Sequence, residues 1–153
     1  MTKKMMFTRI CVVAMVAMMI FSVAAITASA KNNEDTFYSY SLTGGDEFKT
    51  EIREKEDDSS CYMYCQRSTG TYDARVYTGP KLGGCAIDAS GGYHYRFKQG
   101  EKRFMYNYVN EMGYESCAIF ATTYNNGTVA SGVWSPDSVW EAGVISASDY
   151  IRE

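Results

Sequence analysis

Short runs rich in Tyr, Phe, Val, Ile and Thr follow one another along most of this chain, with turn residues between them. Several runs alternate with a period of two, which is typical of half-buried β-strands. Asn126-Gly127 is a strong hairpin signal, because a type I′ turn needs φ > 0 at both central residues. The sequence therefore predicts an all-β fold, an antiparallel β-sandwich of about six to eight short strands over residues 37–140. The runs are FYSYSL (37–42), SSCYMYCQ (59–66), TYDARVYT (71–78), GGYHYRFK (91–98), KRFMYNYV (102–109), SCAIFATT (116–123) and TVASGVW (128–134).

The N-terminus has the three parts of a secretory signal. Lys3, Lys4 and Arg9 precede an uncharged apolar run at 10–26, and Ala28-Ser29-Ala30 follows it. This order predicts a signal peptide, residues 1–30, that forms a helix and is cleaved after Ala30. An uncleaved anchor is the alternative, but the run is at the short limit for a membrane span. We expect a secreted, extracellular protein without a membrane span after cleavage.

The mature chain would comprise residues 31–153. We expect 31–36 to be disordered and 141–153 to form a C-terminal tail. The highly charged run 46–58 is interpreted as a solvated connector, with a short helix or an edge strand as alternatives. Residues 31–153 contain 12 Lys and Arg against 18 Asp and Glu, so nucleic acids and anionic lipid surfaces are unlikely to be partners.

Four cysteines remain after the signal, and two of them flank Tyr-Met-Tyr in SSCYMYC. On an extended strand, Cys61 and Cys65 would share one face with Cα atoms about 13 Å apart, too far for a disulfide. Two pairings remain. We favour Cys65–Cys85, which closes a local loop containing one hairpin, with Cys61–Cys117, which ties this strand to the later run 116–123. A secreted context permits both bonds. Four reduced, buried thiols are the alternative.

Tyrosine is unusually abundant, with 13 residues, all beyond the predicted signal. The pairs Tyr62/Tyr64 and Tyr93/Tyr95 each fall on one strand face and are our candidates for an aromatic binding surface. The alternative is that the tyrosines fill a core poor in leucine, and this is the interpretation that we favour for most of them.

The sequence gives no sign of catalytic, metal or cofactor chemistry. His94 is the only histidine, and no G-x-S-x-G motif or phosphate-binding glycine loop is present. The scattered carboxylates show no spacing that would select a pair for glycoside hydrolysis. We therefore expect a protein that is not an enzyme and that has no cofactor.

Four stretches together resemble a family of small secreted proteins of Gram-positive bacteria, classed as a domain of unknown function. They are SSCYMYC (59–65), YDARVY (72–77), RFMYNYVNEMGY (103–114) and ASGVWSPDS (130–138). The resemblance covers Phe37 to Val139 and implies secretion without an assigned activity.

A smaller set of positions is similar to the lactococcin 972 family of bacteriocins. These positions are Ser59-Ser60-x-Tyr62, Ala74-Arg75-Val76 and Ala130-x-Gly132-Val133-Trp134. That similarity implies a secreted β-sandwich that acts on the envelope of susceptible bacteria without catalysis. This chain is about twice as long as those bacteriocins, is acidic and has four cysteines in its mature part.

Two functions follow as expectations. The first is non-enzymatic action or binding at a bacterial cell envelope, with an envelope component or another surface protein as partner. The alternative is a secreted glycan hydrolase with an unrecognised carboxylate pair. A cleft holding two carboxylates would favour the hydrolase.

Overall fold

The computed structural model describes residues 32–80, 84–123, 125–145 and 151–152. The chain divides into two units, Met1–Ala30 and Lys31–Glu153. The predicted signal peptide, residues 1–30, lies outside the described residues. The described part contains no helix that is long and apolar enough to cross a membrane.

Eleven β-strands make up the regular structure of the described residues, and seven of them have four or more residues. In chain order they are β1 (Thr36–Leu42), β2 (Glu47–Lys49), β3 (Arg53–Glu54), β4 (Cys61–Ser68), β5 (Tyr72–Thr78), β6 (Ile87–Asp88), β7 (Tyr93–Phe97), β8 (Lys102–Met105), β9 (Ser116–Thr122), β10 (Thr128–Ser135) and β11 (Ile151–Arg152).

The strands form two antiparallel sheets. The first is four-stranded, in the order β1-β10-β4-β8, and the second is seven-stranded around β11-β7-β5-β9-β2, with β3 on β9 and β6 on β5. The prediction of an all-β antiparallel sandwich is confirmed. The four strands of two or three residues were not predicted individually, because such short segments carry too little alternation to be recognised.

The core lies between the inner faces of the two sheets. Trp134 on β10 and Met63 on β4 are buried from the first sheet, and Phe97 on β7 and Ile119 on β9 are buried from the second. Tyrosine supplies much of this core, as expected for a leucine-poor chain; the fully or almost fully buried ones are Tyr38, Tyr40, Tyr72 and Tyr95.

Two of these buried tyrosines hydrogen-bond to each other through their hydroxyl groups, whereas the Tyr40 hydroxyl has no hydrogen-bond partner among the described residues. The Tyr38 and Tyr72 hydroxyls are hydrogen-bonded to each other at 2.8 Å, and the Tyr72 ring stacks on Phe97 with ring centroids 5.5 Å apart. Tyrosine can replace leucine here because it buries a large apolar ring and finds a hydrogen-bond partner for its hydroxyl.

Three segments outside the predicted strand runs take part in the fold. Within residues 46–58 the structure has the edge-strand alternative, because β2 and β3 pair with β9. The N–H of Asn32, in the segment expected to be disordered, donates to Asp137 at 3.1 Å. In the segment expected to be a tail, Ile145 forms a bridge with Arg103 and β11 pairs with β7.

A bulge marks the centre of the first sheet. The register between β10 and β4 shifts between Ser131 and Gly132. A Cβ atom on Gly132 would lie 1.9 Å from the carbonyl oxygen of Tyr64 and 2.9 Å from the Tyr38 hydroxyl. Only glycine allows the backbones to approach so closely, which explains this residue in the ASGVWSPDS stretch.

Candidate functional site

The outward-facing side of the four-stranded sheet carries a continuous set of aromatic residues. One row runs across all four strands of this sheet. Phe37 on β1 is opposite Val133 on β10, and Val133 is opposite Tyr64 on β4. Tyr64 in turn is opposite Lys102 on β8. Side chains that are directly opposite in an antiparallel sheet lie on the same face. The next row places Tyr62 opposite Phe104. We call the surface formed by Phe37, Tyr62, Tyr64 and Phe104 the outer aromatic face.

The strand alternation explains why these rings face outward. On β4 the inward positions are Cys61, Met63 and Cys65, all completely buried, so the intervening tyrosines must point to the other side. Tyr62 and Tyr64 are therefore placed together on one face, although Tyr62 is only 8% exposed. Phe37 is 66% exposed, which is unusual for a ring on a strand.

The segment that follows β10 adds further apolar surface beside this face. Trp140 is 83% exposed, and its neighbour Val139 is also exposed. Glu141 is held against β8 by an ion pair with Lys102, whose ammonium lies 5.1 Å from the centroid of the Tyr64 ring. Phe37 and the half-buried Tyr64 thus present ring surface to solvent on the outer aromatic face, and Trp140 is exposed in the segment that follows β10.

A cavity of about 170 Å³ opens next to Tyr62. Apart from Tyr62 and Val139, its walls are polar groups able to donate or accept hydrogen bonds: Asn33, Asp35, Ser135, Asp137, Ser138 and Glu141. We use the name floor for Asp137 and its buried ion-pair partner. We use the name rim for Asp35 and Glu141.

The floor is a buried ion pair. The Nζ atom of Lys55 lies 3.0 Å from Asp137 Oδ1, and both side chains are fully buried. Lys55 also donates to the carbonyl oxygens of Ser59, at 2.5 Å, and Pro136, at 2.9 Å. The Asp137 carboxylate accepts backbone N–H groups at distances of 3.0–3.4 Å, from Asn32, Glu56 and Asp57. These bonds satisfy both charges inside the protein, as a buried ion pair requires.

The rim has a different electrostatic character. Asp35 is exposed, yet burial of part of its carboxyl raises its pKa, and the nearby charge of Glu141 raises it further. Glu141 is itself bonded to Lys102, and this bond raises the pKa of Lys102. The rim therefore brings together one carboxyl that holds its proton more firmly and one ion-paired carboxylate.

The second predicted tyrosine pair does not form a binding surface. Tyr95 is completely buried, and its hydroxyl accepts a hydrogen bond of 2.8 Å from the Tyr106 N–H. Tyr93 is partly buried and packs against the same core. These two residues alternate with buried His94 and exposed Arg96 on β7, so their shared face is the inner one. The prediction of Tyr93 and Tyr95 as binding residues is corrected accordingly.

The structure also differs from the prediction of two disulfides. Cys61, Cys65, Cys85 and Cys117 are all buried free thiols. The Cys61 and Cys117 sulfur atoms lie 3.9 Å apart, in contact across the two sheets but without a bond. The other predicted pair is not together: the thiol of Cys65 interacts with the Tyr38 and Tyr72 hydroxyls, and that of Cys85 with Ser116.

A larger cavity, about 540 Å³, lies on the outer face of the second sheet. Its rings are engaged within the protein, since Tyr77 stacks on Phe120 with centroids 4.0 Å apart and Lys49 lies over the same Phe120 ring. Arg75 there is ion-paired with Asp88. The two rings of this cavity are therefore packed against each other, whereas Phe37 on the outer aromatic face is 66% exposed.

The amino-acid sequence alone did not identify several residues of the site. Phe37 was recognised only as part of a strand, and Asp35 fell in a segment expected to be disordered. Trp140 and Glu141 stand where no alternation marks a strand, so no pattern indicated that Glu141 meets Lys102 on β8. The floor could not be found either, because Lys55 and Asp137 are 82 positions apart.

Residues 25–138 match the family described as Protein of unknown function (DUF2712). The chain belongs to this family. The match confirms the expected membership in a family of unknown function, and it includes the floor, Tyr62, Tyr64 and Asp35 but ends before Trp140. No curated protein and no solved structure matches the chain.

Proposed function

We propose that this protein binds a saccharide chain of the bacterial cell envelope through the outer aromatic face, without turning it over. The observation that carries the proposal is the exposed ring of Phe37 on the outer aromatic face, together with the cavity beside Tyr62, whose walls are mostly polar. Flat apolar rings can stack on the apolar faces of sugars, and a few fixed polar groups then select their orientation.

The charge of the protein limits the class of saccharide that this site can bind. Residues 31–153 have an excess of acidic side chains, and Asp35 and Glu141 stand at the rim itself. A polyanion would be repelled from this surface. A neutral or amine-bearing wall glycan therefore suits the site better than a phosphate-rich polymer.

Secretion and action on other bacteria are finer parts of the same proposal. They are supported by the signal-like residues 1–30 and by the similarity of Ser59-Ser60-x-Tyr62 and Ala130-x-Gly132-Val133-Trp134 to the lactococcin 972 family. In this view the protein reaches the envelope from outside the cell, and any inhibition of growth comes from binding.

Glycan hydrolysis is the second candidate function, because one specific observation favours it. Asp35 has a raised pKa beside Glu141 in the same cavity. Hydrolases of glycosides commonly use a carboxyl with a raised pKa as general acid together with a second carboxylate.

Both candidates can be tested with purified, insoluble cell walls. We expect the protein to co-sediment with walls stripped of anionic polymers and to release no soluble sugar. Phe37→Ala and Tyr64→Ala should each weaken binding roughly tenfold, the size of effect expected when an anchor side chain is removed. Tyr77→Ala, an aromatic on the other sheet, is the matched control and should bind normally.

Three results would count against the proposal. Sugar release that is lost in Asp35→Asn would favour the hydrolase. Loss of binding in Tyr77→Ala, with Phe37→Ala unaffected, would move the site to the second sheet. Binding that disappears when walls are treated with protease would indicate a surface protein as partner.

A further inference from the structure

Three of the four buried cysteines lie near one another, and two of them are in contact. Cys61 is on β4 of the first sheet and Cys117 is on β9 of the second, so the 3.9 Å contact between their sulfur atoms spans the sandwich. Each side chain is completely buried. No other pair of cysteine sulfurs in the described residues makes such a contact.

The surroundings of the pair are polar rather than inert. The Asn107 amide donates to Cys61 Sγ at 3.7 Å, and Lys55 of the cavity floor is close enough for its charge to act on both thiols. The hydrogen bond from Cys117 lowers the pKa of Cys61, and Lys55 lowers it further against the effect of burial. The same bond raises the pKa of Cys117. The contact between the two thiols and the nearby charge of Lys55 therefore make Cys61 easier to ionise than Cys117 in the folded protein.

We propose that Cys61 and Cys117 form a single disulfide between the two sheets under oxidising conditions, while Cys65 and Cys85 stay as thiols. This differs from the two-disulfide arrangement expected from the sequence. Closing the gap from 3.9 Å to a bond of about 2.05 Å requires only small movements of two facing side chains.

The reaction is a thiol–disulfide exchange with a low-molecular-weight disulfide as oxidant. The Cys61 thiolate attacks the oxidant, forming a mixed disulfide and releasing one thiolate. That thiolate takes the proton of Cys117, whose sulfur then attacks the Cys61 sulfur and expels the second half of the oxidant as a thiolate. This thiolate takes up from water a proton equivalent to the one that Cys61 lost when it ionised. Two protein thiols are oxidised and one disulfide is reduced to two thiols, so atoms and electrons balance.

Access determines when the bond forms. Neither sulfur is exposed in the folded protein, so the exchange takes place while the chain is folding or locally open. The bond joins residues that are 56 positions apart. Closing a loop of this length should favour the folded state by roughly 10³-fold over the reduced protein.

The test is to refold the purified protein with oxidised glutathione and to compare it with protein refolded under reducing conditions. We expect a mass loss of two hydrogen atoms, a linked peptide containing Cys61 and Cys117, and alkylation of Cys65 and Cys85 after denaturation. The urea midpoint should rise on oxidation and return on reduction. Cys65→Ser is the control and should retain the bond, whereas Cys61→Ser and Cys117→Ser should lose it.

Four free thiols after oxidative refolding would overturn the proposal. So would a bond from Cys117 to Cys85, whose thiol also influences the pKa of Cys117. Because these readouts come from the unmutated chain, the result does not depend on whether the serine variants fold.

Discussion

The cavity beside Tyr62 has a floor and a rim, and both are lined by carboxylates. In the floor, Asp137 is fully buried and bonded to Lys55 and to backbone N–H groups. At the rim, Asp35 and Glu141 are exposed, and Glu141 meets Lys102 at the surface. The carboxylate in the floor already accepts hydrogen bonds from groups of the protein itself. The carboxyl groups of the rim keep lone pairs that face solvent.

The difference separates structural acids from candidate binding acids within one cavity. The floor ties the segment after β10 to residues before β4, since Lys55 and Asp137 belong to these two segments. Solvent screens the rim and leaves its charges open to a ligand. Removing the floor should therefore destabilise the protein strongly, and removing the rim should change its stability only slightly.

The largest effect is expected for Asp137→Ala. This change leaves the buried Lys55 ammonium without its counter-charge, which should lower the free energy of unfolding by about 3–5 kcal/mol. Urea denaturation followed by tyrosine and tryptophan fluorescence measures the loss.

Glu141→Ala is the matched change at the rim. It removes an exposed ion pair with Lys102, and such pairs contribute about 0–1 kcal/mol. If the two variants were equally stable, the distinction between floor and rim would be wrong.

A somewhat smaller effect is expected for Gly132→Ala, below the outer aromatic face. The added Cβ would overlap the Tyr64 carbonyl oxygen at 1.9 Å and push β10 away from β4. Overpacking of this kind costs about 1–3 kcal/mol, measurable as a lower urea midpoint.

The neighbouring change Ser131→Ala serves as its control, because Ser131 is a half-buried position outside the core and should shift stability by less than about 0.5 kcal/mol. If Gly132→Ala left the urea midpoint unchanged, β10 and β4 would be less closely paired than the bulge requires.

The smallest effect is a pH dependence at the rim. The pKa of Asp35 is raised from 3.8 by burial and by Glu141, so the folded state holds this proton more tightly than the unfolded chain does. Its contribution to stability is therefore fully present below 3.8 and is lost as pH rises through the pKa of the folded state.

In Asp35→Asn the side chain at position 35 stays neutral at every pH. The loss of stability with rising pH should therefore disappear. Stability curves of the variant and the parent protein should run together at low pH and separate in favour of the variant at higher pH. If the stability curves of the two proteins stayed parallel over the whole pH range, the Asp35 carboxyl would be as well solvated in the folded protein as in the unfolded chain.

Local alternation was enough to predict most of the first sheet and the centre of the second. In SSCYMYC it placed Cys61 and Cys65 on one face and Tyr62 with Tyr64 on the other, as the buried and outward positions of β4 show. It was less successful in the run KRFMYNYV (102–109), because β8 ends at Met105. There Tyr106 and Tyr108 form an edge-to-face pair instead, with centroids 4.9 Å apart.

The sequence by itself determined the all-β class, the approximate positions of the longer strands and which side chains share a face, because these depend on a period of two and on turn residues close together in the chain. It did not determine which face is buried. Tyr93/Tyr95 and Tyr62/Tyr64 have the same local pattern, yet the first pair belongs to the core and the second faces outward. Only the packing of the two sheets decided this, and only that packing brought Lys55 to Asp137 and Cys61 to Cys117. Contacts between residues more than 50 positions apart arise from the whole fold, and no short stretch of sequence contains them.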